Sequence, residues 1–207
     1  MTTTITTVSA DQYRAAQNPI LLLTSSEWFE YGIEALHNKG INFPKADIDL
    51  LYKEVPQGHK LVLPVPPLPD ELDLEGLMAK VEVDGKTGKN YLDRQHLSDV
   101  VQAPKTAHLL LDVEDGRNRL NTKPSVSLDN IQREGRIPYT TWRGIVHAIV
   151  FPHVFQSHNM DLVGSRYGSG FVPYLYLLGG FPELFSFWDA YATPRWGAPS
   201  AGSVVGA

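Results

Sequence analysis

No cysteine occurs anywhere in the 207 residues. Disulfides, thiolate zinc sites and a cysteine nucleophile are therefore excluded, and a cytoplasmic location is the expectation. Basic charge is also scarce: 18 Lys and Arg against 23 Asp and Glu leave a formal net charge of -5 and a pI near 5.8. Nothing in that balance forms the clustered Lys/Arg footprint of a phosphate-backbone binder, so nucleic acid is not expected as a partner. Long apolar runs are missing too. The longest nearly uncharged stretch, Gly168 to Pro182, is interrupted by glycines and prolines and is shorter than the ~20 apolar residues that span a bilayer, so it reads as a hairpin and no membrane partner is expected. The opening MTTTITTVSADQYRAAQNP lacks a basic region followed by an apolar one and is not read as a secretory signal. The catalytic patterns H-E-x-x-H and G-x-S-x-G and both phosphate-loop patterns are absent as well.

What is present is the composition of a globular protein, 43% hydrophobic and 20% charged, enough apolar surface to offset the entropy of ordering. The expected organisation is an N-terminal extension over 1–42 carrying one helix, followed by a single domain over 43–207. Thr24 and Glu27 have capping-box spacing and Gly40 follows the last helical turn, which predicts a helix from Ser26 to Asn38. Pro44 opens a second, short helix through Ile48, Leu51 and Tyr52. KLVLPV begins as an apolar strand that four prolines stop, and a helix is expected from near Asp70. Asp84-Gly85 predicts a small hairpin between Val81 and Leu92. A polar helix over Asp93 to Val100, a central strand HLLLDV and a helix from Ser125 to Glu134 follow.

From Tyr139 onward the character changes, since that stretch, Tyr139 included, holds 14 of the 21 aromatic residues but only six charged ones. Thr140 or Thr141 caps a helix through TWRGIVHAIV, and Pro152 starts a further turn. DLVGSR, FVPYLYLL and ELFSFW, separated by YGSG and GGFP, read as an antiparallel meander. The predicted class is α+β: mixed helices with a small central sheet and a C-terminal antiparallel three-stranded meander.

The segments LLLDVEDG, GRIPYTTWRGIVHAIVFPHVF, SHNMDLVGSRYGSGFVPYLYLLGG and FSFWDAYATPRWGAPSAGS, in that order, resemble a bacterial family of unknown function. Its shared features are a DVD/E-x-G strand end, a Thr-capped helix running into a proline, an HN-x-x-x-L-x-GSR strand, a VP-x-L strand and a small-residue tail. The resemblance runs from about Phe43 to Ser203 and is most specific at Gly164, Ser165 and Arg166, at Val172-Pro173 and in the closing Trp-containing segment. The extension before Phe43 and the turn Tyr167 to Gly170 depart from that pattern. It implies a fold, with no reaction, cofactor or catalytic residue.

Several constellations have a chemical and a bland reading. His147, His153 and His158 would place two rings within about 20° of each other on an unbroken helix, but Pro152 breaks it, so they read as satisfied or surface histidines and no metal is expected. Asp112, Glu114 and Asp115 end an apolar strand where carboxylates could hold Mg²⁺ or Ca²⁺, although a turn at Asp115-Gly116 and an arginine partner for Asp112 explain them as well. The remaining set is Arg166, Tyr167, Trp188, Asp189, Arg195 and Trp196, a ligand-binding candidate because an arginine in so uncharged a region is paired, stacked or aimed at an anion. An Arg166–Asp189 pair is the structural expectation and an open Arg166 beside Trp188 the functional one.

The functional expectation is a binding or protein-interaction module that associates with itself or with another protein. The alternative is a small-molecule enzyme with a pocket between the meander and the Asp112 strand end, using Arg166 or Arg195 to orient an acidic group. No cofactor is expected. The Thr-rich start and the SAGSVVGA tail read as arms that could reach a neighbouring subunit.

Overall fold

The computed structural model describes residues 23–206, and the Thr-rich start lies outside them. The first helix, α1 (Ser25–Asn38), begins at Thr24, whose side chain accepts from the Glu27 amide while the Glu27 carboxylate accepts from the Thr24 amide at 2.7 Å. Both ends of a capping box are thus made. The helix α2 (Lys45–Lys53) starts behind Pro44 and buries only Leu51. Strand β1 (Val62–Val65) is buried along its whole length, and α3 (Leu74–Met78) follows, capped by Asp73. The hairpin β2 (Glu82–Val83) and β3 (Lys86–Thr87) turns on Asp84 and Gly85, both with positive φ, the conformation a two-residue type I′ turn requires.

Residues 93–100 are not a polar helix. A single 3-10 turn over Arg94–His96 gives way to β5 (Leu97–Asp99), because Leu97, Ser98 and Asp99 pair with Tyr167, Arg166 and Ser165 of a later strand. Preceding it, β4 (Lys89–Asn90) pairs in parallel with a later strand. After β6 (His108–Leu111), α4 (Pro124–Arg133) and β7 (Ile137–Pro138), the chain enters α5 (Thr141–Val150), all ten of whose residues are buried.

Short α6 (Val154–Ser157) leads to β8 (Asn159–Asp161), β9 (Ser165–Tyr167), β10 (Phe171–Leu178) and β11 (Phe181–Trp188). DLVGSR is therefore two strands rather than one, with both β8 and β9 paired to β10. The break has a packing cause. A Cβ on Gly144 of α5 would stand 2.3 Å from a Leu162 methyl, and one on Gly164 would stand 2.6 Å from the Tyr139 carbonyl oxygen, so the chain between the strands lies directly on the entry and first turns of α5.

The last strands are β12 (Trp196–Gly197), β13 (Ser200–Ala201) and β14 (Ser203–Gly206). One sheet has the order β1-β6-β14, antiparallel throughout, a second runs β12-β8-β10-β11-β4 with β9 and β5 attached, and β13 pairs with β7 apart from both, as β2 does with β3. The meander thus persists inside a seven-stranded sheet, and the architecture is α+β. The C-terminal tail is not a free arm: it supplies β14 to its own chain, because Val204 and Val205 find a buried partner strand in β6. A continuous core joins Trp28, Phe29 and Leu36 of α1 to Leu63, Leu109, Ile145, Leu175 and Leu184.

Candidate functional site

The outward face of the seven-stranded sheet is built by strand alternation. In the β10–β11 register Val172 opposes Phe187, Tyr174 opposes Phe185, and Tyr176 opposes Glu183, and directly opposed residues share a face. The intervening pair, Leu175 and Leu184, is fully buried in the core beside Met160. Tyr174, Tyr176, Phe185 and Phe187 are therefore directed away from it. Asp161 opposes Tyr174, and Trp196 opposes Asn159, which extends the same face across β8 and β12.

The rings touch one another in series. Tyr174 lies 4.1 Å from Trp196 and 4.9 Å from Tyr176, Phe187 lies 5.7 Å from Trp196 and 6.0 Å from Tyr191, and Tyr91 reaches Phe185 at 5.8 Å, all between centroids. These are ordinary aromatic pair distances. Phe185, Phe187, Tyr91 and Tyr191 are between 41% and 59% exposed, while Tyr174, which links the two ends of the series, is buried. The polar content of the face is small. Tyr176 donates to Glu183 at 2.6 Å, Lys89 stands 4.0 Å from the Phe181 centroid, and Asp161 lies almost wholly buried beneath Tyr174. Burial pushes the Asp161 carboxyl up to about 7 and the Tyr174 hydroxyl up to about 12.

The six residues selected from the sequence fall in three places. Arg195 and Trp196 stand at β12, where the Trp196 ring joins the aromatic face and the Arg195 carbonyl accepts from the Asn159 amide. Trp188 packs at a tilt against Phe171 at the open end of the β10–β11 hairpin, and the Asp189 carbonyl beside it accepts from Ser125 of α4. Arg166 and Tyr167 sit on β9, the Tyr167 hydroxyl accepting from the Asp93 amide. The Arg166 guanidinium donates to the carbonyls of Val163 and Ser165 at 3.0 and 2.9 Å. Among the described residues it makes no ion pair with Asp189, because the break at Gly164 turns its side chain back onto its own strand entry.

The face residues not selected, Tyr174, Tyr176, Phe185, Phe187, Tyr91 and Tyr191, had a readable signal in part: aromatics alternate as Tyr174/Tyr176 and Phe185/Phe187, the period of one strand face.

The acidic strand end is occupied by arginines. Arg136 donates to the Asp112 carboxylate at 3.1 Å and to its carbonyl at 2.7 Å, Arg119 joins Glu114 to Glu134, and Arg117 grips both oxygens of Asp115. Asp112 adopts φ 54° there, held by that clamp. His147 is buried against the Tyr139 hydroxyl, and His158 Nε2 donates to the Asp115 carbonyl at 2.8 Å. Among the described residues, no group of three His, Asp or Glu is placed to hold a metal ion, and no helix is long and apolar enough to cross a membrane.

Neither a curated protein nor a solved structure matches the chain. A family match does cover residues 41–181, beginning where the resemblance seen in the sequence begins and ending at the first residue of β11, short of the closing Trp-containing segment. With more than half of its length inside that match, the chain belongs to DUF5701, a family of unknown function.

Proposed function

We propose that the protein is a homo-oligomerising interaction module whose subunits meet through the outward aromatic face of the seven-stranded sheet. The observation that carries this reading is the unbroken series of ring contacts from Tyr91 through Phe185, Tyr174 and Trp196 to Phe187 and Tyr191, with its outer members left in water. Removing a large apolar side chain from water is worth about 1.5–3 kcal/mol. Exposed apolar surface of this kind marks association sites, whose centres are rich in aromatics and poor in charge. A two-fold pairing satisfies such a face with a second copy of itself, since an isologous interface uses the same patch twice.

The test is oligomeric state. Light scattering after size-exclusion chromatography is expected to give the mass of a dimer or larger for the wild type and of a monomer for Phe187→Asp, with unchanged circular dichroism. A wild type that stays monomeric at high concentration ends the reading.

A further inference from the structure

Helix α5 is buried on every side, yet its third residue is an arginine. A guanidinium taken out of water is ordinarily compensated by a carboxylate. Arg143 forms no ion pair among the described residues. Its Nε donates to His108 Nε2 at 3.3 Å and its Nη1 to the Pro138 carbonyl at 3.4 Å, while Nη2 is buried without a partner. His108 holds the group without neutralising it, and the Asp99 carboxylate acts on its charge only from beyond ion-pair distance. Its Nδ1 faces the Thr106 carbonyl at 2.9 Å; a carbonyl only accepts, so Nδ1 carries the ring proton and Nε2 offers its lone pair to Arg143. Burial also pushes the His108 pKa down to about 4, in keeping with a neutral ring.

Arg143, His108 and Thr140 line a cavity of about 200 Å³, whose other walls include Leu68, Val101 and Trp142. A smaller cavity of about 40 Å³ adjoins it across Leu68, Asp99 and Trp142, and is lined by Thr141, whose Oγ1 is likewise buried without a partner. Two unpartnered polar atoms thus flank the N-terminal turn of a ten-residue helix, the end that favours negative charge. The acid in the wall, Asp99, is engaged by the Ser165 hydroxyl at 2.5 Å and disfavours a doubly charged guest by repulsion.

We infer that this cavity binds a small organic monocarboxylate, its carboxylate on the Arg143 guanidinium and its carbon skeleton against Leu68, Val101 and Trp142. At about 30 Å³ per water-sized group the volume admits a molecule of roughly six to eight non-hydrogen atoms. The inference is independent of the aromatic face, which lies on other strands.

Isothermal titration calorimetry of the full chain with acetate, lactate, butyrate and valerate tests it, with inorganic phosphate and methylammonium chloride as the other arms. The expected result is saturable binding of at least one of the four carboxylates at one per chain, weakened at least tenfold by Arg143→Lys. Because a change at a buried arginine can disturb folding, Ala103→Leu serves as the second variant: Ala103 also lines the cavity, so the larger side chain takes up its volume without altering Arg143, and it is expected to abolish binding while keeping the wild-type melting temperature. No saturable carboxylate binding, binding of phosphate alone, or binding that Ala103→Leu leaves intact each overturns the assignment.

Discussion

Asp161 opposes Tyr174 across the β8–β10 register, and burial raises its carboxyl from the ordinary 3.8 to about 7. Between those values the folded chain holds a proton that the unfolded chain has released, so stability falls as pH rises from about 4 to about 7 and stays at the lower level beyond. Asp161→Asn removes that loss. It is expected to stabilise the protein by roughly 2–4 kcal/mol at pH 8 and to change little at pH 4; urea titrations at the two pH values check this, and an equal effect at both would refute it. Single residues were unevenly legible in the sequence. Gly164 and Ser165 stand out there, and their roles are contacts: the glycine admits the Tyr139 carbonyl, while the Ser165 hydroxyl accepts from the Thr141 amide and donates to Asp99. Arg143 does not stand out, although one cation on a helix apolar on every face already implies a buried charge. Its neighbours His108 and Asp99 come from distant segments, which only the fold brings together.

At the level of elements, α1 shows how a segment outside the family match enters the common core. Its Trp28 is 1% exposed and meets Phe151 edge-on at 5.7 Å, and Gly32 allows the helix to lie against Pro64 of β1. Trp28→Ala is expected to cost about 3–5 kcal/mol, whereas Leu50→Ala on the half-exposed flank of α2 should cost under about 1 kcal/mol; denaturant midpoints separate the two. Capped helices such as α1 and α5 were readable because their start signals are local. Strand β5 was not, because nothing local distinguishes a polar edge strand from a polar helix turn. Its identity rests on pairing with β9, nearly seventy residues later. The alternation in β10 and β11 was legible as well, but both faces of that hairpin are apolar. Which of them meets water depends on where α5 packs.

Across the whole molecule the buried histidines set the acid limit. Burial holds both His108 and His147 down at about 4 against an ordinary 6.5. Between these values the unfolded chain binds the protons that the folded core refuses, so the histidines' contribution to stability is complete above about pH 6.5 and is lost as pH falls toward 4. Asp161 opposes that loss over the same range, and the Asp161→Asn protein is therefore expected to lose stability more steeply on acidification than the wild type. Thermal unfolding followed from pH 7 to pH 4 measures both slopes. The order in which the chain leaves the ribosome matters at this scale too. Strand β6 is the middle of its sheet, yet β14, which covers its second edge, is translated roughly ninety residues later. Until then Leu109 and Leu110 sit in a strand with one ladder open, the kind of edge that recruits other strands. A chain stopped before Ser203 lacks the partner for that edge and is expected to aggregate more readily than the full chain.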